Sequence, residues 1–78
     1  MDTSNLADFL NRNSQAEITG FTGDSLLIDR LKELGLYQGL IIENVGQAPF
    51  GGPLLYRFGG TILALRVEEA KCLLVKKV

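Results

Sequence analysis

Two adjacent glycines, Gly59 and Gly60, stand between Leu54-Leu55-Tyr56-Arg57-Phe58 and Thr61-Ile62-Leu63-Ala64-Leu65, and no other feature constrains the fold of this chain so tightly. Both flanks are rich in apolar, β-branched and aromatic residues. A two-residue glycine connection supplies the positive backbone angles that a tight hairpin requires. With that loop the register follows: Phe58 faces Thr61, Tyr56 faces Leu63 and Leu54 faces Leu65, all on one side of the hairpin, which is therefore the core side. The other side pairs Arg57 with Ile62 and Leu55 with Ala64. Leu55 and Ile62 are then expected to point away from the core.

The remainder of the chain is read around this hairpin. Gln15 to Phe21 alternates and predicts a strand. Thr22-Gly23-Asp24-Ser25 is a turn that carries its own helix cap, and Leu27, Ile28, Leu31 and Leu34 follow at helical spacing with Asp29, Arg30, Lys32 and Glu33 on the opposite side. Gly35 sits where a left-handed C-terminal cap is wanted. Leu40 to Val45 is an apolar, β-branched run that predicts the next strand, and Ala48-Pro49-Phe50-Gly51-Gly52-Pro53 predicts a protruding loop. Val67-Glu68-Glu69-Ala70 reads as one helical turn before a last strand over Lys71 to Val78. Near the start, Ser4 can cap a short helix whose Leu6, Phe9 and Leu10 form a stripe. Five short strands, one helix between the first two of them and a short N-terminal helix make a mostly β domain, a small and partly open barrel.

Composition narrows the function. With 78 residues there is room for one core, and with 46% hydrophobic and 22% charged residues the chain reads as one globular domain throughout. The net charge of −1 gives no overall positive field for a phosphate backbone or an anionic membrane. Charge is nonetheless uneven: residues 1–39 hold three basic and six acidic side chains, and residues 40–78 hold five basic and three acidic. Cys72 is the single cysteine, which removes an intramolecular disulfide and favours a reducing, cytoplasmic setting. No apolar run approaches the roughly 20 residues of a membrane-spanning helix, and the N-terminus lacks the pattern of an export signal.

Catalytic and metal chemistry find little support. There is no histidine, so no imidazole is present to ligate a transition metal or to activate a nucleophile, and Cys72 reads as a buried small hydrophobe. No cofactor site is expected, and ferrous iron or zinc should bind weakly. Gly51-Gly52 and Gly59-Gly60 lack the Gly-Lys-Ser/Thr ending of a phosphate loop. Glu68 and Glu69 read as a solvated face rather than an acid and base pair.

Leu34-Gly35-Leu36-Tyr37-Gln38-Gly39, then Ala48-Pro49-Phe50-Gly51-Gly52-Pro53, then Leu63-Ala64-Leu65-Arg66-Val67-Glu68-Glu69-Ala70, preceded by Ile18-Thr19-Gly20-Phe21, resemble in order and spacing the ferrous iron transport protein A (FeoA) family. The resemblance implies an SH3-like barrel in the bacterial cytoplasm, recruited to the inner face of the membrane as an accessory to FeoB, the ferrous iron transporter. It implies no enzyme activity. The chain departs from the family pattern at Asn44, where an inward valine is common. Such a residue needs buried partners or a strand bulge. Leu55, Ile62 and Ile41 occupy positions that are commonly polar in the family.

Outward apolar residues that cluster mark an interface. Ile41, Leu55 and Ile62, with Pro49, Phe50 and Tyr37 on loops, are accordingly the candidate partner-binding residues. The N-terminal helix or a second copy of the chain are the other occupants of that surface. Two other functions fit a small barrel. One is nucleic-acid binding through Arg57, Arg66, Lys71, Lys76 and Lys77, which the acidic balance opposes; the other is a detached regulatory domain of a metal-responsive repressor, for which the ligands are missing.

Overall fold

The computed structural model describes residues 4–5 and 14–78. Among the described residues six strands run in chain order, β1 (Ser4–Asn5), β2 (Gln15–Phe21), β3 (Ile41–Gln47), β4 (Leu54–Phe58), β5 (Thr61–Leu65) and β6 (Leu73–Lys77), with helix α1 (Ser25–Glu33) between β2 and β3 and a single turn, α2 (Val67–Ala70), before β6. They form one antiparallel sheet of order β1-β6-β2-β3-β4-β5, which curls around the core without closing. The sheet therefore keeps two edges, β1 and β5.

The hairpin has the expected register at all five pairs, Phe58 with Thr61 through Leu54 with Leu65. Gly59 and Gly60 have φ of 52° and 80°, the doubly left-handed turn whose twist matches the strands it joins. Leu54, Tyr56 and Leu65 are buried as that register requires, whereas Ile62 lies on the other side and is exposed. Ala16, Ile18, Ile42, Leu73 and Val75 complete the inward face of the sheet, and α1 closes it from one side with Leu31.

Helix α1 starts at Asp24, whose carboxylate accepts the Leu26 N–H at 2.8 Å. It ends in a Schellman turn: Leu36 N–H reaches the Leu31 carbonyl, Gly35 N–H reaches that of Lys32, and Gly35 takes φ of 103°. This turn changes the expected stripe. Leu34 caps the helix and remains 39% exposed, while Leu36, two residues on, is folded back into the core beside Leu31.

Three further expectations are corrected. Ser4 does not cap a helix at this point, because Ser4 and Asn5 are extended and pair with Val75 and Leu74 of β6; the helix expected over Leu6, Phe9 and Leu10 lies outside the described residues. The last strand begins at Leu73, since Lys71 and Cys72 belong to the turn leaving α2, with Cys72 buried as expected. Glu69 is not part of a solvated face: it is only 9% exposed, its Oε1 accepts the Arg66 N–H at 2.9 Å, and its Oε2 lies 3.2 Å from Arg30 Nε. One carboxylate thus caps α2 and ties it to α1.

Candidate partner-binding surface

Asn44 and Tyr56 shape the sheet that carries the candidate residues. β3 and β4 slip register between Asn44 and Gly46, so the strand is bulged there. The Asn44 side chain is buried, its Oδ1 accepts the Gly46 N–H at 2.8 Å inside the bulge, and it also hydrogen-bonds the Tyr56 side chain. Both conditions that a buried amide imposes at this position are met together. Burial pushes the Tyr56 hydroxyl up to about 12, a rise that the hydrogen bond from Asn44 partly opposes.

The six candidate residues do not form one continuous patch. On the outer face the cross-strand rows are Glu43-Arg57-Ile62 and Gly46-Leu55-Ala64. The first contains an ion pair, Arg57 to Glu43 at 3.8 Å, which lies between Ile41 and Leu55. Ile41 pairs with Glu17 of β2 and lines a shallow groove with Arg57, Gly59 and Gly60. Tyr37 lies at the same end of β3, with its backbone carbonyl bonded to the Leu40 N–H. Pro49 and Phe50 lie beyond the other end, about 20 Å away along the strand. Leu55 is half-buried, and Ile62 is 58% exposed on the edge strand.

Each end has a distinct character. Tyr37 lines an open cleft of about 450 Å³ with Phe21, Lys32, Gly35, Leu36 and Gln38. Lys32 Nζ stands 5.2 Å above the Phe21 ring, a cation–π contact that gives this cleft one positive wall. Sequence periodicity placed Lys32 on the solvent side of α1 and Phe21 at a strand end, and carried no sign of their meeting across the Schellman turn.

At the other end Phe50 is the single non-glycine residue with positive φ among those described, at 63°, and its side chain is fully exposed. With Gly51 at φ 70° it forms the centre of a tight turn closed by Gly52 N–H to the Pro49 carbonyl. The loop is held by Ala48 N–H to the Pro53 carbonyl and by Gln47 Nε2 to the Gly52 carbonyl, both at 2.9 Å. A phenylalanine in this conformation is strained by about 1 kcal/mol. Phe50→Gly should therefore raise the unfolding free energy by about 0.5–1 kcal/mol in denaturant titration; a loss of stability would show that the ring packs on the domain.

No group of three or more acidic, cysteine or histidine side chains placed to hold a metal ion occurs among the described residues. No helix among them is long and apolar enough to cross a membrane.

Comparison with known proteins bears on this geometry. The model of the FeoA domain family matches residues 5–77. The FeoA-like protein from Clostridium acetobutylicum superposes with a TM-score of 0.89 at 28% identity, over 100% of this chain and 90% of that one. FeoA of Stenotrophomonas maltophilia, solved with zinc, is 33% identical over 92% of this chain and 88% of its own, with a TM-score of 0.75; it is described as a prokaryotic SH3-domain protein and a candidate activating factor of ferrous iron transport. A manganese-dependent transcriptional repressor shares the fold over 42% of its length, with a TM-score of 0.84 at 10% identity. No curated protein sequence matches the chain.

Proposed function

This chain belongs to the FeoA domain family, and from that premise we propose that it is a cytoplasmic accessory of ferrous iron uptake that acts by binding the cytosolic part of a FeoB-type transporter. The observation that carries this reading is the family match over nearly the whole domain. The surface chemistry agrees with it: Ile41 and Ile62 stand exposed on the sheet, and Tyr37 and Phe50 stand exposed on loops at its two ends. The domain binds and regulates; it does not catalyse.

Ile41, Leu55, Ile62, Pro49, Phe50 and Tyr37 are the proposed contact residues, with Leu55 and Ile62 as the central pair. Burying what remains exposed of Leu55 and Ile62 stabilises a complex by about half of the roughly 1.5–3 kcal/mol that a fully exposed side chain would give, before ordering costs. The double variant Leu55→Glu with Ile62→Lys keeps the net charge and leaves the inward face intact. Its unfolding should stay cooperative while capture of the transporter from native membranes falls. Capture at wild-type levels by a folded double variant would remove this face from the function. A transporter that is never captured, by wild type or variant, would overturn the functional reading itself.

A further inference from the structure

The hairpin that fixes the register also decides which backbone groups of β5 are engaged. In a two-residue hairpin the residues flanking the loop, Phe58 and Thr61, are a hydrogen-bonded pair, and bonded and non-bonded pairs then alternate. Thr61, Leu63 and Leu65 thus direct N–H and C=O toward β4. Ile62 and Ala64 direct theirs away from it.

On that far side the described residues place no further strand, since β5 ends the sheet they form. Among the described residues none bonds to the backbone of Ile62 or Ala64 from outside. The next outward N–H, that of Arg66, is taken by Glu69. Glu69 caps the exit of the strand, and two consecutive outward positions have no backbone partner among the described residues.

Natural sheets blunt such edges with charges, prolines, bulges or very short strands. The opposite edge, β1, is two residues long. β5 has none of these devices: Thr-Ile-Leu-Ala-Leu carries no charge and no proline, and its pairing with β4 is unbroken. Its outward side chains, Ile62 and Ala64, are both exposed.

We propose that β5 receives an extended segment of a partner protein by strand addition. The backbone dictates this form, since alternating free N–H and C=O groups are satisfied by another strand and not by a helix. Charge sets the chemistry of the segment. Arg57 beside Ile62 on the outer face already faces Glu43 at 3.8 Å, whereas Arg66, exposed just after the strand, makes no ion pair among the described residues. The segment therefore places small or apolar residues beside Ile62 and Ala64 and a carboxylate toward Arg66. A second copy of the chain is a poorer occupant, because its own β5, Thr-Ile-Leu-Ala-Leu followed by Arg66, brings no carboxylate to this edge.

The inference rests on the transporter reading, and one experiment separates the two. The full-length FeoB-type transporter of the same host, in detergent, is added to the labelled domain, and amide exchange is quenched and read residue by residue. In the free domain Ile62 and Ala64 should exchange fast and Leu63 slowly; on binding, Ile62 and Ala64 should become protected. Ile62→Pro removes an outward N–H without breaking the β4 ladder and should weaken binding by about tenfold or more, whereas Ile62→Val, which keeps the N–H and gives up one methylene of the contact side chain, should weaken it by about fourfold at most. Binding without protection of these two amides overturns strand addition and leaves the transporter reading standing. Absence of binding by the wild type overturns both. If Ile62→Pro does not fold cooperatively, the exchange pattern of the wild type alone decides.

Discussion

Leu31→Ala should lower the unfolding free energy by about 2–5 kcal/mol, the cost of truncating a fully buried leucine and leaving a cavity in the core. Leu31 has no exposed surface and is the residue through which α1 joins the sheet. Its carbonyl also receives the Leu36 N–H that closes the Schellman turn, so a shift of the helix would disturb the descent of Leu36 into the core. Domains of this size have total stabilities of about 5–15 kcal/mol, which makes the loss a large fraction of the whole. Leu34→Ala serves as the control. Leu34 lies on the same helical stripe but is 39% exposed, and its truncation should cost less than about 1 kcal/mol. Equal effects in urea titrations of the two variants would show that the helix end is placed wrongly.

Those two leucines show what the sequence conveyed and where it stopped. The hairpin was legible because Gly59-Gly60 allows one loop length, and loop length fixes which side chains share a face. The start of α1 was legible for a similar reason, since Asp24 acts on a neighbour two residues away. The end of α1 was not, although Gly35 marked it correctly. Periodicity extends a stripe as if the helix continued, while a Schellman turn reverses the chain and exchanges Leu34 for Leu36. Glu69 was misread because its partners, Arg30 and the Arg66 backbone, become neighbours only when α2 packs on α1. A two-residue strand such as β1 has too few residues for any alternation.

The candidate site was legible in its parts and not in its layout. Leu55 and Ile62 were placed outside by register alone, and the structure agrees. That the Glu43–Arg57 ion pair separates Ile41 from Leu55 depends on the bulge at Asn44, which sets how β3 meets β4. The free backbone at Ile62 and Ala64 depends on the strand order, a global property that no local pattern contains. The sheet thus carries two kinds of information for a partner, apolar side chains on its face and hydrogen-bonding groups at its edge, and Ile62 belongs to both.

Asn44→Ala should be the second costly substitution, at about 2–3 kcal/mol, because one truncation removes the acceptor for Gly46 N–H inside the bulge and a hydrogen bond to Tyr56 in the core. The loss should carry a pH signature. Tyr56 has its pKa raised from 10.0 to about 12 in the folded domain, mainly by burial and against the opposing hydrogen bond from Asn44. The neutral phenol is the form that the fold prefers, so this contribution to stability is fully present below the unfolded value near pH 10. It is lost as pH rises through the folded value near 12, at a slope approaching about 1.4 kcal/mol per pH unit. Stability of the wild type should therefore fall over that window more steeply than that of Tyr56→Phe, which has no group to ionise there. In Asn44→Ala the hydrogen bond that favours the phenolate is gone, and Tyr56 should ionise at still higher pH, as read by tyrosinate absorbance on the folded protein. Parallel stability curves for wild type and Tyr56→Phe across that window would show that Tyr56 reaches solvent. A downward shift of the Tyr56 titration in Asn44→Ala would show that the amide favours the neutral phenol instead, and that the bulge is held together by another contact.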